Sequence, residues 1–337
     1  MSPTIAVYGA YGHTGRFVIA QLRRRGLIPR LCGRDAAKLQ TLASAYPDLD
    51  RRQAAIDAPH ELDRMLEGCA AVINCAGPFL DTAAPVLEAA LRAGLPYLDL
   101  CAEQGAALDL VAGYDRQVRD AGLIAIPAMA FFGGLADLLA TAAFGDGPQA
   151  DAIETAVALD RWHPTLGTRL TGQRNQRPRL VIANSELAPL PLPAATRDWT
   201  FPAPFGAQPT LALPFSEIAS YARHLRCTRA DSYMNLTAVQ DVRDPDTPVP
   251  SAVDADGLSA QRYAVEVRVH RQGRTRSASA QGRDIYAVSA PLIVEALVRI
   301  LDGRSRATGV VAPGQAFDAA DFLSSLPDLT WTLATME

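Results

Sequence analysis

Over its first 130 residues the chain alternates short apolar runs with amphipathic segments of helical length, and this alternation constrains the fold more than any other feature. The runs Thr4–Tyr8, Ile28–Cys32, Arg52–Ile56, Ala71–Cys75, Tyr97–Leu100 and Leu123–Ile126 read as strands. Between them, Val18 and Leu22 share a helical face, as do Val86 with Ala90 and Leu87 with Leu91. Short strands separated by helices form βαβ units, hence a parallel sheet with helices on both faces. Six such strands predict a Rossmann sheet, whose ligands bind beyond the carboxyl ends of the strands.

The first strand runs into GAYGHTG and then into a helical pattern. That context makes the loop a dinucleotide motif, although its glycines are spaced by three. Amides at a helix start, aided by the helix dipole, favour a pyrophosphate. Gly9 permits the tight turn, Gly12 lets the diphosphate approach and Gly15 allows close helix–strand packing. Tyr11, His13, Thr14 and Arg16 complete the expected phosphate end. The tip of the second strand reads LCGRDAAKL, with Gly33 and Arg34 where NAD enzymes place an acid for the ribose hydroxyl. An arginine there can fork onto a 2′-phosphate and stack on adenine, so NADP(H) is the expected cofactor. Lys38 adds charge one turn on, and Asp35 is expected to cap that helix. Asp57 is expected at the adenine pocket, and Cys75, Ala76, Gly77 and Pro78 beside the nicotinamide ribose.

After about residue 150 the pattern changes. Ala152–Leu159 and SYMNLTAV (232–239) read as strands, whereas the proline-rich residues 186–215 read as loops or edge cover. YAVEVRVHR points Tyr263, Val265, Val267 and Val269 one way and Glu266, Arg268 and His270 the other, a strand with one covered and one wetter face. Gln272-Gly273 is expected to turn it into Thr275–Ala280. Residues 286–301 return to helix. The expected layout is a Rossmann domain (1–130), a second α+β domain with a mixed or antiparallel sheet (131–285), and a C-terminal segment (286–337) packing back on the first.

With 337 residues and a net charge of −4, the chain has room for two domains and no basic tail to attract nucleic acid or acidic membranes. No apolar stretch approaches the roughly 20 residues of a membrane span, and no signal peptide is visible. The five cysteines form no CxxC pair and the five histidines are scattered, so no metal site is expected and a reducing cytoplasm is. Lys38 is the single lysine. No Tyr-x-x-x-Lys pair can be built, and Schiff-base chemistry on lysine is equally unsupported.

The stretches GAYGHTGR, CGRDAAKL, VINCAGPF, AGLPYLDLCAE and AGLIAIPAMAFFGGLADLLA together resemble the saccharopine dehydrogenase-like NADP-binding oxidoreductases. GRDIYAVSAPLIVEAL and GVVAPGQAFDAADFL are similar to that family's tail, while residues 160–260 match it only in outline. The resemblance implies a Rossmann domain, a second domain covering the nicotinamide, and a reductase of C=N bonds made from an amino acid and a carbonyl. Some relatives act on lipid-like C=C bonds.

Hydride transfer draws its chemistry from the cofactor, but an imine acceptor also needs a proton donor. Tyr97 and Asp99 lie two apart on one strand and so share a side. They are the first catalytic candidates. His163 is the third, on a segment (162–168) expected to start a helix facing the cleft. Arg161, Arg169 and Arg174 are candidates for a substrate carboxylate, and Phe131-Phe132-Gly133-Gly134 is expected to cross between domains. The reading is an NADP-dependent reductase of an amino-acid-derived imine, working as a homodimer on a small molecule. An enoyl reductase, suggested by the apolar middle, and a non-catalytic NADPH-sensing protein are the alternatives.

Overall fold

A computed structural model describes residues 2–336. The N-terminal part runs β1 (Thr4–Tyr8), α1 (His13–Arg24), β2 (Ile28–Gly33), α2 (Ala36–Ala45), β3 (Arg51–Gln53) and α3 (Pro59–Leu66). It continues through β4 (Ala71–Asn74), α4 (Phe79–Ala93), β5 (Tyr97–Asp99), α5 (Gln104–Asp120) and β6 (Ile124–Ile126). After a tight turn at Phe131–Leu135, α6 (Ala136–Phe144) leads to β7 (Ala150–Leu159) and α7 (Leu166–Arg174). Next come β8 (Leu180–Ala183), β9 (Glu186–Pro189), β10 (Thr196–Phe201), β11 (Gly206–Ala212), α8 (Glu217–His224), β12 (Cys227–Asn235) and α9 (Leu236–Arg243). The chain ends with β13 (Arg262–Arg271), β14 (Arg274–Arg283), α10 (Ser289–Leu301), β15 (Gly309–Val310), α11 (Pro313–Ala316), α12 (Ala319–Ser324) and β16 (Thr330–Met336).

The first sheet is parallel, in the order β15-β6-β5-β4-β1-β2-β3. Ile5–Tyr8 in β1 and all of β4 are buried, as central strands covered on both faces must be. At the far edge Arg51, Arg52 and Gln53 are exposed, so β3 stops at Gln53 where an apolar run through Ile56 is expected to continue. The strand order turns between β1 and β4, which puts the switch point at Gly9 and Cys75.

The second sheet is mixed: β10-β11-β12-β7-β13-β14-β16, with the β8–β9 hairpin branching from β12. Strands β7 and β12 run parallel and the other pairs antiparallel. Val265, Val267 and Val269 of β13 face the helices, as their alternation predicts. The opposite face is drier than predicted at Glu266, because Trp199 of β10 roofs it and donates Nε1–H to its Oε2 at 2.9 Å. One apolar cluster joins the two sheets. It runs from Ile5, Ile73 and Leu98, through Val18, Leu139 and Ile293 on α1, α6 and α10, to Ile153, Val157 and Val267.

Three expectations are corrected. The proline-rich 186–215 contains strands β9, β10 and β11, and Pro209 pairs with Asp198 near the sheet margin, where a missing N–H is tolerated. SYMNLTAV is strand only to Asn235; Leu236 begins α9. The parallel sheet has a seventh strand, β15, supplied by two residues far along the chain.

Candidate active site

The glycine loop has the geometry its spacing left open. Gly9 has φ +83°, and a Cβ on it would lie 2.8 Å from the Ala76 backbone nitrogen. Loop and β4 end therefore touch backbone to backbone, which only glycine permits. A Cβ on Gly15 would strike the Gly9 carbonyl, whereas one on Gly12 would come no nearer than 3.1 Å to any neighbour. Gly12 caps α1 without a side chain, and among the described residues the amides of His13, Thr14 and Gly15 have no backbone acceptor. The His13 ring stands edge-on between Phe17 and Tyr286, 5.3 Å from each, and burial lowers its pKa. Its Nε2 is buried without a partner among the described residues. Free amides, an orphaned ring nitrogen and a glycine at which a Cβ would crowd the Gly9 carbonyl together fit a dinucleotide diphosphate.

At the tip of β2, Asp35 accepts from the Lys38 backbone N–H at 3.0 Å and caps α2, a bond that lowers its carboxyl pKa. Lys38 Nζ is 3.5 Å from Asp35 and 5.8 Å from the centre of the Tyr11 ring. Asp35 is thus turned into the helix. Arg34 is exposed, and among the described residues its guanidinium has no carboxylate partner. Asp57 and Arg34 both act electrostatically on Tyr8, whose pKa burial pushes up to about 12.

Beyond the loop lies a pocket of about 460 Å³ between the two sheets. Thr14, Cys75, Gly77, Phe79 and Glu103 line it from the nucleotide side, and Phe131 and Phe132 from the crossing. Trp162, Thr168, Arg179, Phe215, Arg243 and Tyr286 line it from the other side. Helix α7 closes on the β4 end: a Cβ on Gly77 would come within 2.9 Å of Thr171 Oγ1. Phe132 and Phe215 stack with centroids 4.2 Å apart, so Phe132 is a wall of the pocket, while Phe131 also packs against Tyr263 in the core.

Glu103, only 3% exposed, is the one carboxylic acid on this pocket among the described residues. It accepts from the backbone N–H of Phe79 at 2.9 Å and of Ala102 at 3.3 Å. Burial nevertheless raises its pKa. Tyr286 is a hub. Its hydroxyl accepts from Trp162 Nε1 (3.1 Å) and the Thr165 N–H (3.3 Å), meets Thr168 Oγ1 (3.0 Å) and donates to the His163 carbonyl (3.3 Å).

The catalytic candidates of the sequence lie elsewhere. Tyr97 and Asp99 do share a side, with the phenol donating to Asp99 Oδ2 at 2.8 Å, but both are fully buried in the sheet and off the pocket. Asp99 Oδ1 instead accepts from the Ala128 and Cys101 amides at 2.7 and 2.9 Å, tying β5 to the segment after β6. His163 offers Tyr286 its carbonyl, and its ring is not on the pocket. Of the arginines, Arg174 pairs with Asp81 at 2.8 Å, Arg169 holds the Asp244 and Thr247 carbonyls, and Arg161 is exposed outside the pocket. The sequence reading missed Arg179, Arg243 and Phe215. They sit on a strand approach, a helix end and a proline-flanked turn, and no local pattern unites them.

Residues 5–126 match the model of the saccharopine dehydrogenase NADP binding domain. The chain is 28% identical to the saccharopine dehydrogenase-like oxidoreductase of Mus musculus over 40% of its length, and 30% identical to that of Rattus norvegicus over 29%. These matches take in 35% and 27% of the two relatives, so the chain corresponds to about a third of each or less. The apo saccharopine dehydrogenase (L-Glu forming) of Saccharomyces cerevisiae superposes over 99% of this chain and 100% of its own, with a TM-score of 0.69 at 11% identity. This shows a shared fold. No described helix is long and apolar enough to cross a membrane. Over residues 5–126 the chain is thus similar to the saccharopine dehydrogenase NADP binding domain, a match that supports a nicotinamide cofactor.

Proposed function

We propose that the chain is an NADP(H)-dependent reductase of a C=N bond in an amino-acid-derived imine, acting in the pocket between the two sheets. One observation carries this reading. A single cavity is lined both by Thr14 and Cys75, beside the glycine loop, and by Arg179 and Arg243, which have no carboxylate partner among the described residues. The α1 amides with Gly12 would hold the diphosphate, Arg34 and Lys38 the 2′-phosphate, and Cys75 through Pro78 the nicotinamide ribose. The reduced nicotinamide, when bound, supplies the hydride. Glu103 supports the remaining need: burial favours its protonated form, which can hold a proton for the nascent amine. Phe132 and Phe215 exclude water.

We also propose a reducing cytoplasm and a homodimer as its setting. Five free cysteines support the first, and the exposed Leu333 on edge strand β16 the second.

The test measures NADPH and NADH affinity, and NADPH oxidation with amino acids paired with aldehydes and keto acids. NADPH is expected to bind more tightly than NADH. Arg34→Ala should remove about tenfold of the NADPH affinity and leave NADH unchanged. Equal affinities in the wild type would sink the NADP assignment. Stoichiometric NADPH binding without turnover on any imine would sink the reductase.

A further inference from the structure

We infer that the substrate end of the pocket is built for a monocarboxylate with a flat apolar body, rather than for a molecule charged along its length. The inference rests on the reading of this pocket as a reductase's substrate site. Arg179 is half-buried: its NH1 donates to the Pro214 carbonyl and its guanidinium lies 4.6 Å over the Phe215 ring. Burial pulls its pKa down, and the nearby charge of Arg243 pulls the same way. Neither arginine has a carboxylate in ion-pairing range among the described residues. Glu217 helps Arg179 only from a distance. It is 3% exposed, accepts the Phe215 N–H at 2.9 Å, and burial pushes its own carboxyl toward the neutral form.

A guanidinium that has lost part of its water, with a second positive charge nearby, is stabilised by an anion that completes it. A carboxylate accepts from arginine in bidentate geometry. Next to this anion site the wall is aromatic: Phe215 stacks on Phe132, and Trp162 stands 5.5 Å from Phe132. Such faces favour a flat apolar group and offer nothing to a second charge. Glu103 is the one acid that lines the pocket among the described residues. The geometry therefore orders a ligand, with its carboxylate at Arg179 and Arg243 and its body along Phe132 and Phe215.

Calorimetric titration of the whole chain with phenylpropanoate, its neutral amide phenylpropanamide, and the dianion glutarate tests this. Phenylpropanoate should bind at least about tenfold more tightly than either of the others. Arg179→Met should abolish that preference while leaving the amide's weak binding and the NADPH affinity unchanged. Arg243→Met, at the exposed rim, should reduce the preference in the same direction and keeps the test open if the Arg179 variant fails to fold. No binding of phenylpropanoate, equal binding of the amide, tighter binding of glutarate, or an unchanged preference in a folded Arg179 variant would each overturn the inference. Acid-selective binding without NADPH turnover would support it while defeating the reductase reading. Turnover without acid selectivity would do the reverse.

Discussion

The Tyr11 ring stands directly on Gly33: a Cβ at that position would lie 2.7 Å from Tyr11 Cε1. The Tyr11 hydroxyl in turn accepts from the Asp35 backbone N–H at 3.3 Å. The first loop of the nucleotide site is thereby latched to the tip of the second strand. Gly33→Ala should push the ring aside and release Asp35. We expect a stability loss of about 1–3 kcal/mol in urea unfolding and a weaker grip on NADPH in fluorescence titration. Unchanged values in both would show that the latch is idle.

Glu103→Gln keeps an oxygen for the Phe79 amide and removes the ionisable proton. It should lower kcat by about a hundredfold or more and leave the NADPH Kd unchanged. Burial holds the wild-type carboxyl above its ordinary range, so wild-type kcat should fall as pH rises through that raised value. Persistence of this limb in the variant would assign it to another group.

Burial raises the pKa of Asp99 to about 6, against the backbone and Tyr97 hydrogen bonds that lower it. A raised acid binds its proton more tightly when folded. Its contribution to stability is full below the unfolded value of 3.8 and is lost as pH rises to about 6. The loss amounts to about 3 kcal/mol. Asp99→Asn stays neutral throughout, so urea midpoints measured from pH 4 to 7 should fall in the wild type and stay flatter in the variant.

Glu154 shows the opposite sign. Burial raises its pKa, but Arg197 at 2.9 Å, Arg229 at 2.9 Å and His270 at 3.1 Å outweigh it and bring the carboxyl down to about 2. Its contribution is present above the unfolded value of 4.5 and is lost as pH falls toward 2. Glu154→Gln should cost about 2 kcal/mol at neutral pH, since the arginines keep part of their water, and the gap should close in acid. A gap independent of pH would point to packing instead.

The nucleotide half was legible because local periodicity and strand-to-helix loops govern it. The tight turn at Gly9 and the close packing at Gly15 could be assigned from their neighbours in sequence. The pairing of Tyr97 with Asp99 was legible too, since two residues apart on a strand means one side. Which way that side faces was not, because it depends on α4 and the segment after β6. The substrate end was opaque for a further reason. Arg179, Phe215 and Arg243 meet Glu103 only after the second sheet has closed, and side chains gathered from distant segments leave no periodic trace. Trp199 roofing Glu266 escaped detection likewise, since strand alternation distinguishes two faces and does not say what covers either.

Strand β15 completes the parallel sheet with residues that follow the second sheet's hairpin, and the chain then returns to that sheet as β16. The polypeptide thus passes between the sheets three times. Neither half is a module that can be cut out at one linker: a fragment ending after β6 would leave that strand's outer edge bare. Any opening of the pocket must bend three crossings together, which makes it a jaw with a fixed axis rather than two beads on a string.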